Sequence, residues 1–112
     1  MHKVVYQYLD NMFKNVKPNK QINPHNPDAY RIDLGKYVSY FYFGPGEDDG
    51  GDIHYGVGTL HIHPDIVDEL RRLIKIRETK VVDIIADWFS EKFDIDVDNI
   101  SIYPNRKTPA AY

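Results

Sequence analysis

Apolar positions along this chain follow two rhythms, and the switches between them mark out its elements. In residues 3–16, Val4, Val5, Tyr8, Leu9, Met12, Phe13 and Val16 recur at spacings of three, four and seven. Lys3, Asn11, Lys14 and Asn15 take the other side. That is the period of an amphipathic helix. Lys17-Pro18 ends it, because a residue before proline is pushed out of the helical region. Residues 17–28 carry three prolines and three asparagines and read as a loop.

The rhythm then shortens to two. Tyr30, Ile32 and Leu34 alternate with Arg31 and Asp33, and the run Tyr37–Phe43 that follows is dense in β-formers. Gly35-Lys36 between them predicts a two-residue hairpin turn. The second run is apolar or aromatic on both faces, which predicts a central strand. A third strand is expected over 53–63. Gly56 and Gly58 sit two apart within it, a sign of a bulge or of close approach by another group.

Helical spacing returns at Pro64, a residue suited to a first helical position. Asp65 and Asp68 sit in the first turns, where the helix dipole favours acids. Ile66, Val67, Leu70, Leu73 and Ile74 form the apolar stripe. Thr79 is the expected N-cap of a further helix over 80–93. Val81, Val82, Ile84, Ile85, Trp88, Phe89 and Phe93 cover more than half the circumference of that helix. Such a helix lies across the sheet or spends part of its surface on a second subunit. A last strand over 99–103 stops at Pro104. The order α-β-β-β-α-α-β predicts an α+β fold: an N-terminal helix, an antiparallel three-to-four-stranded β-meander, two C-terminal helices and a final strand. Residues 1–104 are expected to form a single domain, with 105–112 a flexible tail.

Composition narrows the picture. The chain has 112 residues, one domain's worth, of which 42% are hydrophobic and 13% aromatic, enough for a core. A mild net charge of −3 argues against a dedicated nucleic-acid binder, whose charge is usually positive. There is no cysteine, which excludes disulfides, thiolate chemistry and cysteine–zinc sites and favours a reducing compartment. The first eight residues lack the apolar region of a secretory leader, and the longest apolar run is far short of a membrane span. The expected location is cytoplasmic.

Candidate chemistry concentrates in Asp52–Pro64, which holds His54, His61 and His63. His61 and His63 share one side of a regular strand. With Asp52 or His54 they would make a ligand set for a divalent metal, His54 joining only if the glycines bulge. There is no H-E-x-x-H signature. The simpler reading places His61 and His63 on the polar side of a half-exposed strand, with His63 near a helix start. Glu47, Asp48, Asp49 and Asp52 sit among glycines but match no calcium loop, and read as a solvated connection. Asp94-Ile95-Asp96-Val97-Asp98 has the opening spacing of an EF-hand loop. Asn99 stands where that loop needs glycine and Asn105 where it needs glutamate, so an extended segment is expected.

Arg71, Arg72, Lys75, Arg77 and Lys80 form a basic cluster able to contact phosphates, or simply a solvated face. Tyr40, Tyr42, Tyr55 and Trp88 are candidates for a partner surface, since such residues are enriched at interfaces. The serines Ser39, Ser90 and Ser101 carry no nucleophile-elbow motif. The sequence thus points to a small non-enzymatic protein-binding module, a regulator, inhibitor or adaptor of the kind a phage or mobile element carries. It would act through an aromatic sheet face and an apolar helix, on a protein partner or on itself as a homodimer, without a cofactor. The alternatives are a metal-binding protein or metal-dependent enzyme using His54, His61, His63 and Asp52, and a nucleic-acid binder using the basic cluster.

Overall fold

A computed structural model of the chain describes residues 3–44, 46–47, 53–54 and 56–103, with backbone alone for Gly46, Glu47, Ile53 and His54. Helix α1 spans Lys3–Phe13, and strands β1, β2 and β3 span Asn19–Asn23, Asn26–Leu34 and Val38–Phe43. Two short strands, β4 (Gly46–Glu47) and β5 (Ile53–His54), pair only with each other. Strand β6 (Val57–Ile62) leads into helices α2 (Pro64–Ile74) and α3 (Glu78–Phe93), and β7 (Asn99–Ile102) follows. The main sheet has the order β1-β2-β3-β6-β7. Its first four strands are antiparallel, and β7 runs parallel to β6 after the crossover through α2 and α3. The fold is α+β.

The helices fill one side of this sheet. Ile32, Leu34, Val38, Tyr40, Leu60 and Ile62 alternate inward along β2, β3 and β6, and form one core with Leu9, Phe13, Leu70, Ile85 and Phe89 of the helices. Trp88 is 2% exposed. Its ring lies 5.4 Å from that of Phe13, and its Nε1–H donates to Asp10 Oδ1 at 2.9 Å. The broad apolar surface of α3 is therefore covered within the chain, through Val81, Ile84, Ile85, Ala86, Trp88 and Phe89. No helix among the described residues is long and apolar enough to cross a membrane.

Several boundaries differ from expectation, each for a local reason. Residues 19–23, expected within a loop, form the edge strand β1. Pro18 and Pro24 bracket the strand instead of interrupting it. The turn beyond it is held by side chains, with His25 N–H donating to Asn23 Oδ1 at 2.8 Å and Asp28 N–H to Asn26 Oδ1 at 3.1 Å. All five residues of β1 are exposed, so no buried alternation announces them. The hairpin turn has three residues, because Leu34 pairs with Val38, and Gly35 takes a left-handed φ of 69°. The expected strand over 53–63 is split between β5 and β6. Helix α3 begins at Glu78 with Arg77 at the N-cap, which places Thr79 inside the first turn.

Gly58 in β6 and Gly56 just before it admit two tyrosines. A Cβ on Gly58 would lie 1.9 Å from the Tyr40 hydroxyl, and one on Gly56 would lie 2.2 Å from that of Tyr42. Tyr40 crosses β6 over this gap and donates to the Asp96 carbonyl at 3.1 Å. Burial raises its hydroxyl well above the usual phenol range. Gly58 N–H donates to Asp98 Oδ2 at 2.8 Å, and Asp98 N–H donates back to the Gly58 carbonyl at 3.0 Å. The Asp94–Asp98 segment is thus a strap tying the start of β7 to β6.

Candidate functional site

Strand alternation sends the remaining side chains to the face that carries no helix. Arg31 and Asp33 of β2, Ser39, Phe41 and Phe43 of β3, and Thr59 and His61 of β6 share it. Cross-strand register lines them into rows. One row runs Asn19, Asp33, Ser39, His61 and Ser101, and the next runs Gln21, Arg31, Phe41, Thr59 and Asn99. Phe43 pairs directly with Val57.

Several side chains of these two rows pair with one another. Arg31 binds Asp33 through two parallel bonds, Nε to Oδ1 and Nη2 to Oδ2, each 2.8 Å. This fork geometry fixes both groups. The guanidinium also lies 5.5 Å from the Phe41 ring centre. His61 is wedged between Phe41, edge-on at 4.6 Å, and Tyr103 at 5.3 Å. Burial pushes its imidazole below the ordinary range, so the neutral form is preferred, and burial likewise raises the Tyr103 hydroxyl. Ser39 lies buried beneath these groups.

The next part of the face is open. A groove of about 340 Å³ is lined by Gln21, Ile22 and Asn23 of β1, Ala29, Tyr30 and Arg31 of β2, Phe41, Tyr42 and Phe43 of β3, and Pro24. Phe43 is 63% exposed and Val57 opposite it 39%. Large apolar side chains elsewhere on the surface, such as Val4 and Leu73, are exposed singly. Isolated residues of that kind are ordinary; an aromatic lip beside a cavity is not.

The residues singled out from sequence fall in several places. His63 has no exposed surface. It is the N-cap of α2, its Nδ1 accepting from Asp65 N–H at 3.1 Å, and its ring meets the Tyr37 ring edge-on at 5.8 Å. His61 contacts Phe41 and Tyr103 instead, so the two imidazoles have separate neighbours. His54 lies on β5, described by its backbone alone, and Asp52, Asp48, Asp49 and Tyr55 lie outside the described residues, as does the tail over 105–112. Among the described residues, no group of three or more His, Cys, Asp or Glu could hold a metal ion.

Tyr40 and Trp88, expected on a partner surface, are interior residues, because both project into the helix–sheet layer. Tyr42 is half-buried on that same side and stacks on Tyr30 at 5.2 Å. Arg71, Arg72, Lys75, Arg77 and Lys80 are all exposed around the α2–α3 junction, where Arg72 pairs with Glu69. Phe41, Phe43, Ala29 and Gln21, which line the groove, are not among the partner-surface candidates expected from the sequence. A signal for them was present: Gly56 and Gly58 face the tyrosines of the 37–43 run, so the phenylalanines must face the other way.

No protein-family description, no curated protein and no solved structure matches this chain.

Proposed function

We propose that this protein is a small non-enzymatic binding module, working in the cytoplasm, that engages a protein partner through the helix-free face of its sheet. The observation that carries this reading is the contrast at β3. Its helix side is closed by the chain's own core, while its other side ends in an exposed aromatic beside an open groove. Interface centres are built from aromatic residues and shaped pockets, with polar groups at the rim. Phe43, Val57 and the groove supply the first, and Gln21 and Asn23 supply the second.

A photo-cross-linking residue at position 43 tests the reading, with the same residue at the exposed position 4 on α1 as control. In cells that make the protein natively, position 43 is expected to give discrete protein adducts and position 4 none. Equal labelling from both positions, or none from 43, overturns the reading. An adduct at twice the chain's mass would identify the partner as a second copy.

A further inference from the structure

We infer that the α2–α3 junction is a second contact surface, which takes a short acidic segment of a protein partner with an apolar side chain among its carboxylates. The junction belongs to the helix side of the sheet, and the inference does not rest on the reading of the helix-free face.

Charge comes first. Residues 71–80 hold five of the chain's 14 basic residues and one acid, a net +4 in ten positions, while the rest of the chain sums to −7. All five cations are exposed around the three-residue link between the helices. Arg72 pairs with Glu69; among the described residues, Arg71, Lys75, Arg77 and Lys80 have no ion-pair partner. Helix dipoles account for part of this pattern. The carbonyl end of α2 favours Arg71, Arg72 and Lys75. Arg77 and Lys80 stand at the amide end of α3, where the dipole favours acids and Glu78 is the one acid of the first turn. Unpaired cations placed there repel one another and the helix end, and an anionic partner relieves both.

The form of the anion follows from two further features. Leu73 is 47% exposed. An exposed leucine is ordinary by itself, but this one shares the last turn of α2 with Arg71 and Arg72. A phosphate backbone offers it nothing, whereas a peptide can lay an aliphatic or aromatic side chain on it. A nucleic acid also runs on past a patch of ten residues and meets a chain that is acidic elsewhere; a short peptide ends within the patch. Carboxylates suit the arginines, whose forked N–H groups bind them two bonds at a time.

Fluorescence anisotropy with the whole chain at low salt tests this, using three labelled probes: a peptide of glutamates interrupted by leucines, the same peptide with serine for leucine, and oligothymidylate. The leucine peptide is expected to bind tightest, about threefold or more ahead of the serine peptide. Arg71→Ala with Arg77→Ala should weaken it about tenfold, since two exposed charge pairs are lost. Leu73→Ser should erase the preference for leucine. Lys14→Ala with Lys17→Ala, which removes two exposed cations just beyond α1, should leave binding unchanged. All these positions are exposed, and far-UV circular dichroism checks that each variant stays folded. Tighter binding of oligothymidylate would overturn the inference in favour of a phosphate-binding surface. Equal affinity for the two peptides, or equal weakening by the two double variants, would overturn it in favour of unspecific charge attraction. Absence of binding to every probe would leave the cations as a solvated face and overturn it outright.

Discussion

Tyr40 and Phe43 lie three residues apart on β3 and have opposite surroundings. Tyr40 is 1% exposed, roofed by Phe89 at 5.5 Å and anchored on Asp96; Phe43 is 63% exposed beside a groove. The strands that present them are the same, so the difference lies in what each face is given to pack against. Three helices cover one face. Among the described residues, the other carries the Arg31–Asp33 pair and the His61–Tyr103 contact, and Phe43 at its far end is exposed. The face with surplus packing holds the fold, and the face with unfinished packing is where binding is expected. Mutations should therefore separate into those that unfold the chain and those that leave it folded and change what it binds.

The largest effect is expected on the covered face. Trp88→Ala removes a buried ring, its contact with Phe13 and its bond to Asp10. Large-to-small core changes of this kind cost roughly 3–5 kcal/mol. Urea unfolding monitored by far-UV circular dichroism measures it. A loss below about 1 kcal/mol, within the range of surface substitutions and mild core swaps, would mean that Trp88 is not part of the core.

Next comes the glycine gap under Tyr40. Gly58→Ala puts a methyl 1.9 Å from the Tyr40 hydroxyl and 2.7 Å from Cζ, so the ring must shift off its bond to Asp96. Overpacking of this sort costs roughly 1–3 kcal/mol. Tyr40→Phe alone loses one hydrogen bond, about 1 kcal/mol. The two changes touch the same atoms, so they should not add. In the double variant the shortest clash is gone, although Cζ at 2.7 Å and Cε2 at 2.9 Å still crowd the methyl, and the bond to Asp96 is lost only once, so the total loss should fall short of the sum of the single losses. Additive losses would show that the glycine is needed for its backbone and not for the tyrosine.

These two sites also show what the sequence could and could not convey. The helical stripes and the β2–β3 alternation were readable because burial imposes a period on them. The close approach at Gly56 and Gly58 was readable as a space, but its occupant was not, because Tyr40 reaches it only once β3 and β6 pair. β1 was invisible for the opposite reason: as an edge strand with every residue exposed, it buries nothing that would leave a pattern. The 37–43 run was legible as a central strand with two apolar faces. Which face the helices would take is decided by elements elsewhere in the chain. That is why Tyr40 and Trp88 stood out as interface candidates while Phe43 did not. His61 and His63 share a parity on paper, yet the strand ends at Ile62 and His63 turns into the helix cap.

A smaller effect belongs to the polar row on the open face. Burial holds the folded His61 imidazole below its ordinary value of 6.5, so the fold keeps the neutral form. On acidification the unfolded chain takes up this proton first. The stability His61 provides is present above 6.5 and is lost as pH falls through the folded value. His61→Gln should remove that dependence. Urea unfolding at about pH 7.5 and pH 5, on either side of the imidazole range, is expected to show the wild-type advantage shrinking in acid. A constant difference would mean that His61 titrates alike in the folded and unfolded chains.

The smallest change in stability should accompany the largest change in behaviour. Phe43→Ser deletes an aromatic that already faces solvent, so unfolding free energy should move by no more than about 0.5 kcal/mol. The same substitution removes one wall of the groove and half of the Phe43–Val57 pair, and cross-linking or co-purification of a partner through this face should fail. Measured beside Trp88→Ala, it sharpens the contrast between the faces: one variant unfolds with its surface chemistry untouched, the other stays folded with its surface blank. Were Phe43→Ser to destabilise the chain by as much as a core deletion, the ring would be supporting the fold despite its exposure. The helix-free face would then be a second packing surface of the same domain, and the search for a binding surface would move to the exposed basic residues at the α2–α3 junction.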